Sequence, residues 1–226
     1  MNKETYCLLE NFMLSCMDDA AHDKEHIYRV LYNALEIAKT EDKADLDILT
    51  AACLLHDIGR KEQFENPALC HAIIGSEKAY QFLLANGFER SYAEQVKQCI
   101  KTHRYRKNNR PQSLEAKILF DADKLDVTRA IGIARTLLYK GIVSEPLYSV
   151  LPNGVVSTGE NDTTPSFFQE YKYKLENIYT NFYTEKAAAI AKERQRISIK
   201  FYNSLYQEVS SSYQNGINEV NNLFGS

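Results

Sequence analysis

The stretch of residues 46–55 constrains the fold more than any other part of the sequence. Apolar side chains occupy nearly every side of a helix drawn through it, from Asp45 at its start to Gly59 just beyond its end. A helix that is apolar all round is buried, so other helices must surround it. The stretch ends in His56-Asp57. Burying these two polar side chains is costly unless they have partners.

Helical periodicity extends over most of the chain. Apolar positions recur at helical spacing, and the nine Gly and five Pro among 226 residues fall mainly between the periodic segments. We therefore predict an all-α fold in a single domain spanning residues 1–226. Asp23 is expected to cap one helix, and Asn66-Pro67 is expected to open another.

The C-terminal third is interrupted by a long loop. Residues 142–164 are rich in Pro, Gly, Ser, Thr, Asn and Asp, and loops of this length inside a domain are often mobile or act as lids. Helices are predicted again over about 165–210, where a Phe- and Tyr-rich segment at 167–183 forms core or a dimer face. The Ser- and Asn-rich tail beyond them is expected to fray.

Composition excludes several classes of protein. A hydrophobic fraction of 44%, 25% charged residues and a net charge of −3 are ordinary for a globular protein and supply no broad surface for a nucleic acid duplex. No apolar segment approaches the ~20 residues that span a membrane, and no signal peptide is recognisable. The five cysteines contain no C-x-x-C pair. These features predict a cytoplasmic protein with free thiols.

Four polar residues carry the clearest chemical signal: His26, His56, Asp57 and Asp123. Each lies on or at the end of a predicted helix, so each can project from a rigid element into a shared cleft. Mixed histidine and carboxylate ligands suit Mn, Fe, Co, Ni or Zn. Adjacent residues point about 100° apart on a helix, so His56 and Asp57 can share an ion only near a helix end, where Gly59 puts them.

Three segments resemble those of a known family. Residues 22–30 are similar to the first-histidine segment of the HD-domain metal-dependent phosphohydrolases, 51–59 to its signature helix, and 121–126 to the segment with its final aspartate. Together with the later helices, these segments resemble the bacterial subgroup of small stand-alone HD hydrolases over roughly residues 20–208. The resemblance implies a single HD-type domain with a catalytic core at about 20–140 and a C-terminal helical extension.

The resemblance also implies roles for individual residues. The four residues above would be metal ligands. Asp126 is expected, on its spacing alone, only to orient a ligand, because it lies three residues from Asp123 on the same side of a helix. His71 and His103 match positions that bind a second ion in the two-metal branches, while in a one-metal site they would contact phosphate or act as an acid. Whether one or two ions bind stays open. The implied activity is cleavage of a phosphate ester or anhydride by metal-activated water.

A nucleotide is the expected substrate, which would make the protein a nucleoside triphosphate pyrophosphohydrolase, a nucleotidase or a phosphodiesterase. Cations near the implied ligands are candidates for holding its phosphates, since guanidinium groups bind phosphate oxygens in pairs. The candidates are Arg60, Lys61, Arg104 and Lys124, with Arg106, Lys107 and Arg110 in the same loop as Arg104. Thr128-Arg129 departs from the small residues expected in this subgroup and puts the usual mode of substrate binding in doubt.

Two other functions remain open from the sequence. Some members of the wider superfamily are di-iron oxygenases, which would require His71 and His103 to bind a second ion. A non-catalytic nucleotide-binding module is the other alternative, although no implied ligand is missing. A homodimer is also left open.

Overall fold

The computed structural model describes residues 1–17, 24–104 and 108–225. Over these ranges the chain is helical, with an isolated bridge between Val150 and Val156 in place of any β-strand, so the predicted all-α class is confirmed. The helices are α1 (Lys3–Ser15), α2 (Lys24–Ala38), α3 (Leu46–Leu55), α4 (Arg60–Glu65), α5 (His71–Ala85), α6 (Arg90–Thr102), α7 (Leu114–Asp126), α8 (Arg129–Ile142), α9 (Phe167–Tyr173) and α10 (Glu185–Phe224). A 3-10 helix, Leu175–Asn177, follows α9.

The chain divides into two compact units. The first unit contains Met1–Asp126 and Phe182–Ala187, and the second contains Val127–Asn181 and Ala188–Ser226. Folding as a single domain stays a prediction. None of the helices in the described ranges is both long enough and apolar enough to cross a membrane.

Helix α3 forms the centre of the first unit. It begins where Asp45 Oδ1 accepts the backbone N–H groups of Asp47 and Ile48 at 2.9 and 3.1 Å. Residues 51–55 are fully buried, and the helix packs against α1, α2, α6 and α7. Burying each leucine side chain contributes about 1.5–3 kcal/mol, so the packing holds the C-terminal end of α3 firmly in place. The predicted central buried helix is confirmed.

Asp121 ties the 182–187 segment to α7 within the first unit. Its carboxylate accepts the backbone N–H groups of Tyr183 and Thr184 and the Thr184 hydroxyl, at 2.8–3.0 Å. Asp121 is fully buried. A buried carboxylate with this many donors is a structural anchor for the start of α10.

The second unit has an aromatic core. Phe167, Phe168 and Tyr171 of α9 are almost completely buried, and the Tyr171 and Tyr202 rings stack with centroids 4.1 Å apart. The Phe- and Tyr-rich segment therefore supplies core at α9, which is one of the two roles predicted for it. Val156 of the 142–164 loop also belongs to this core.

The 142–164 loop has hydrogen bonds of its own. The Asp162 carboxylate accepts hydrogen bonds from the hydroxyls of Ser149 and Ser157, both at 2.6 Å. The Leu151 N–H donates to the Val155 carbonyl at 2.8 Å, which closes a tight turn. A role for this loop as a lid stays a prediction.

Two sequence expectations about helix ends are wrong. Asn66 does not open a helix: its Oδ1 accepts the N–H of Ala68 in a local turn, and α5 begins at His71. The tail does not fray within the described residues, because α10 continues to Phe224. Side chains at helical spacing, such as Val209 and Tyr213, keep packing against the aromatic core, a periodicity that the polar composition obscured. The predicted cap Asp23 lies outside the described residues.

Candidate metal centre

Two histidines occupy the same position at the ends of two helices. His56 is the C-cap of α3 and His103 is the C-cap of α6. The Nδ1–H of each donates to the carbonyl three residues earlier, Cys53 O at 2.7 Å and Ile100 O at 2.6 Å. These bonds satisfy carbonyls that a helix end leaves without partners. They also fix the proton on Nδ1, so the lone pair of each imidazole is on Nε2.

Two further histidines begin helices. His26 lies in the first turn of α2, and His71 is the first residue of α5. His26 Nδ1 donates to Asp126 Oδ2 at 2.8 Å, and His71 Nδ1 donates to the side-chain oxygen of Gln63. These two imidazoles, like the previous pair, therefore present Nε2 to the interior. All four rings are nearly or completely buried.

The structure brings the four predicted ligands together. His26 Nε2 lies 3.3 Å from Asp123 Oδ1, 3.4 Å from His56 Nε2 and 3.6 Å from Asp57 Oδ2. His56 Nε2 lies 3.7 Å from the same Asp57 oxygen. Atoms that ligate one ion at about 2.1 Å stand roughly 3–3.5 Å apart, so the distances from His26 Nε2 to Asp123 and His56 suit a shared ion, and Asp57 Oδ2 lies slightly beyond that range. We call His26, His56 and Asp123 the first triad.

A second group lies on the other oxygen of Asp57. His71 Nε2 is 3.2 Å and His103 Nε2 is 3.6 Å from Asp57 Oδ1, and the two nitrogens are 3.2 Å apart. We call Asp57, His71 and His103 the second triad. Asp57 thus contributes one carboxylate oxygen to each side of the cluster.

The donor atoms of this cluster suit a cation. Asp57 Oδ1 is buried and accepts no hydrogen bond, which is costly for a carboxylate. In the second triad, two imidazole nitrogens that both carry lone pairs face each other at 3.2 Å. Such a pair repels unless a proton or a metal ion lies between its members. Nitrogen and carboxylate donors together fit a divalent transition metal.

Burial and charge shift the pKa values of the imidazoles in opposite directions. Burial lowers the pKa of His56 to about 4, and burial aided by nearby Arg60 and His103 lowers that of His71 to about 2. Burial also lowers the pKa of His26, but hydrogen bonds to two aspartates outweigh it and raise the value to about 9. His56 and His71 are therefore neutral at pH 7, the form in which imidazole binds metal.

The two carboxylates of the cluster are held ionised. Burial raises the pKa of Asp57, but the Arg60 guanidinium and the surrounding imidazoles outweigh it and hold the pKa well below its usual range. The pKa of Asp123 is lowered in the same way, mainly through its hydrogen bond to His26. An ionised carboxylate is the form in which aspartate binds a metal ion, whereas His26 has to lose a proton to bind one at pH 7.

The cations predicted to bind phosphate lie in different surroundings. Arg60 Nε donates to Asp57 Oδ2 at 2.9 Å. A terminal nitrogen of Arg104 lies 3.8 Å from Sγ of Cys70, the residue that precedes His71. Lys61 is exposed on α4. The Lys124 ammonium lies over the Phe182 ring, 4.6 Å from its centroid. Arg106 and Lys107 fall outside the described residues.

Three residues support the cluster from outside it, and one of them was recognised from sequence. That residue is Asp126, which accepts the Nδ1–H of His26. Arg29, which binds Asp126 through Nε at 2.7 Å, was missed although it lies one helical turn after His26. Gln63, the partner of His71, gave no signal, because the two residues lie on different helices, α4 and α5, joined by a turn.

Comparison with known proteins identifies the family. A family model described as HD domain matches residues 24–128, a range that contains both triads. A solved structure from an uncultured Thermotogales bacterium, described as a predicted HD superfamily hydrolase, is 30% identical, with a TM-score of 0.59 over 88% of this chain and 90% of that one. The chain belongs to the HD superfamily. The expected family is thereby confirmed.

Two further bacterial proteins are similar to this chain over most of its length. YpgQ from Bacillus subtilis, an uncharacterized protein, is 28% identical over 85% of this chain and 86% of its own. Its structure in complex with ADP has a TM-score of 0.70 at 25% identity, covering 90% of this chain and 97% of YpgQ. An HD-superfamily hydrolase from Bacillus thuringiensis has a TM-score of 0.69 at 26% identity, covering 91% of this chain and 97% of the other.

Proposed function

We propose that this protein is a metal-dependent phosphohydrolase that cleaves a phosphate ester or anhydride of a nucleotide. The observation that carries the proposal is Asp57, whose two oxygens face two pairs of imidazole nitrogens while one oxygen accepts no hydrogen bond. A buried carboxylate in that position needs a cation. In an HD superfamily member, a cation among histidines and aspartates is best explained as the reaction centre.

The two sides of the cluster would have different roles. The first triad with Asp57 would hold one ion, and the second triad would hold another ion or contact the substrate phosphate. A divalent metal bound here would supply Lewis acidity and lower the pKa of water from 15.7 to about 7. The hydrogen bonds at each Nδ1 keep the imidazoles oriented, and the buried helix ends keep bulk water out.

A nucleotide substrate is supported by charge and by a relative. Arg60 uses Nε on Asp57, which leaves its two terminal nitrogens to bind phosphate oxygens, and Arg104 lies beside the second triad in the chain. The relative YpgQ has been solved with ADP. Lys61 and Lys124 complete the proposed set of phosphate-binding cations.

The test is a hydrolysis assay on the purified chain. Metal-free protein is loaded with Mn²⁺, Co²⁺ or Ni²⁺ and incubated with nucleoside mono-, di- and triphosphates and a cyclic or dinucleotide diester. Phosphate, pyrophosphate and nucleoside release are measured separately, which distinguishes nucleotidase, pyrophosphohydrolase and phosphodiesterase. We expect turnover with at least one metal and one nucleotide, and none after chelation.

A matched pair of variants separates chemistry from folding. Asp57→Asn should reduce turnover to background because it removes the carboxylate shared by both triads. Asp121→Asn makes the same change at a buried carboxylate whose described partners are Tyr183 and Thr184, and it should leave turnover per folded molecule intact. Undiminished hydrolysis by the folded Asp57→Asn protein would contradict the proposal.

A di-iron oxygenase is the second candidate, and the second triad favours it. That reaction needs two ions, and His71 with His103 could hold the second of them. Iron content is measured after anaerobic purification, followed by oxygen consumption. Two irons per chain with oxygen uptake would favour this candidate over hydrolysis.

The remaining expectations accompany the main proposal. A non-catalytic nucleotide-binding module would bind a nucleotide tightly without turnover under every metal tested. Location in the cytoplasm, the lack of a nucleic acid duplex partner and a homodimer stay predictions.

A further inference from the structure

The four histidines of the cluster differ in what their Nδ1–H groups bind. His56 and His103 donate to backbone carbonyls, and His71 donates to the amide oxygen of Gln63. His26 donates to the carboxylate of Asp126. An imidazole whose far nitrogen donates to a carboxylate is a stronger metal ligand than one that donates to a neutral oxygen, because negative charge is pushed toward Nε2.

Asp126 is itself firmly held. Arg29 binds both of its oxygens, with Nε 2.7 Å from Oδ1 and a terminal nitrogen 3.2 Å from Oδ2. Asp126 is 1% exposed. A planar guanidinium that grips both oxygens fixes the rotation of the carboxylate, and so keeps Oδ2 on the His26 ring.

The two sides of Asp57 therefore have different electrostatic environments. The first triad contains a carboxylate of its own, Asp123, and its His26 is hydrogen-bonded to a further carboxylate, that of Asp126. The second triad has no carboxylate beyond the shared Asp57. An arginine lies near each side, Arg60 on Asp57 Oδ2 and Arg104 at Cys70, so the carboxylates are what distinguish the two sides. Fewer anionic groups near a site weaken cation binding.

We propose that Asp126, held by Arg29, is a positioning residue that makes the first triad the tighter of two unequal metal sites. The proposal rests on the proposed metal-dependent function and answers how many ions the centre holds at rest. At limiting metal the chain carries one ion, on the His26 side. The second triad fills at higher metal concentration.

The test is a Mn²⁺ titration of the metal-free protein, with free Mn²⁺ measured by electron paramagnetic resonance and without any activity assay. Wild type should show a tight step of one ion and a weaker step. Asp126→Asn keeps a hydrogen-bond acceptor for His26 but removes the charge, and it should weaken the tight step by roughly 10- to 100-fold, with little change in the weaker one. Asp121→Asn, the same change on the same helix, should alter neither step.

Two more variants approach the proposal from other directions. Arg29→Lys retains the charge but cannot bind both oxygens of Asp126 at once, so it should lower the affinity of the tight step less than Asp126→Asn does. His103→Gln should remove the weaker step and leave the tight one. If Asp126→Asn fails to fold, the Arg29→Lys and His103→Gln titrations decide.

The outcomes separate this inference from the proposed function. Equal affinities for the two ions, a tight step unchanged in the Asp126→Asn and Arg29→Lys proteins, or loss of the tight step in His103→Gln would overturn the inference. Nucleotide hydrolysis that persists alongside any of these results leaves the proposed function standing. A chain that binds no Mn²⁺ overturns the inference, and a chain that binds none of Mn²⁺, Co²⁺ and Ni²⁺ overturns both.

Discussion

The two units of the chain use buried polar groups in opposite ways. In the first unit, histidines and aspartates converge from the ends of several helices, and one buried oxygen of Asp57 is left without a hydrogen bond. In the second unit, several buried polar side chains are bonded close by: Ser166 caps α9 by accepting the Gln169 N–H, and Ser157 donates to Asp162. Among its described residues, the hydroxyl oxygens of Ser198 and Ser210 are buried without a hydrogen bond. Lys140 pairs with Glu145.

This contrast indicates where the chemistry lies. Polar groups that satisfy one another locally stabilise a fold, whereas polar groups that converge and stay incompletely satisfied need something that the polypeptide does not supply. Under the proposed function, a cation completes the first unit, where the Asp57 oxygen without a hydrogen bond belongs to a carboxylate surrounded by imidazoles. In the second unit, the described oxygens in that state are two serine hydroxyls, which carry no charge and need no cation. Substitutions in the two units should consequently have different signatures.

The largest expected effect on stability is in the second unit. Phe168→Ala removes a fully buried ring that packs against Tyr148, Tyr202 and Tyr206, and it should lower the free energy of unfolding by about 3–5 kcal/mol. Urea unfolding measures the loss. Metal bound per folded chain should not change. A large drop in metal stoichiometry at low urea would break the contrast between the units.

Metal should stabilise the protein through the first unit. At a free Mn²⁺ concentration of 100 times Kd, binding to the folded state alone raises the free energy of unfolding by about 2.7 kcal/mol. The increase should vanish in Asp57→Asn and persist in Asp121→Asn, as measured by urea unfolding with and without chelator. Equal stabilisation of wild type and Asp57→Asn would show that the ion binds somewhere else.

Two glycines, Gly59 in the first unit and Gly141 in the second, should differ in how their substitution affects stability and metal binding. A Cβ on Gly59 would lie 2.4 Å from the His71 carbonyl oxygen and 2.6 Å from Gly75 N, so α5 would have to shift. Gly59→Ala should cost about 1–3 kcal/mol and weaken metal binding, because the shift moves His71. Gly141→Ala, in open space on α8, should be neutral or stabilising by up to about 1 kcal/mol. Unchanged metal affinity in Gly59→Ala would mean that the start of α5 does not set the second triad.

The sequence predicted the parts of this molecule that follow from periodicity and residue type. Helix α3 was recognised because a helix that is apolar on every side has to be buried, and its end then places His56 and Asp57. His26 and Asp123 were singled out by residue type and by their places on predicted helices, and the resemblance to the HD family implied that all four ligate metal. The structure brings these four side chains within a few ångströms of one another, although which of them bind metal stays a prediction.

Other features could not be read from sequence because they depend on tertiary contacts. That Gln63 is the partner of His71 follows from how α4 meets α5, and that Asp121 anchors Thr184 follows from a contact across 63 positions. The packing of α10 against the aromatic core as far as Tyr213 was hidden by the polar composition of this segment. Asn66 has the residue type of a helix cap, but its side chain capped a turn instead, since both structures use the same hydrogen bond.

Anomalous diffraction from crystals grown with Mn²⁺ tests the central claim most directly. A strong anomalous peak is predicted within coordination distance of His26 Nε2, His56 Nε2, Asp57 Oδ2 and Asp123. Any weaker peak should lie between His71 and His103. Strong density elsewhere on the chain, or none in the cluster when the protein in solution is saturated with Mn²⁺, would contradict the account.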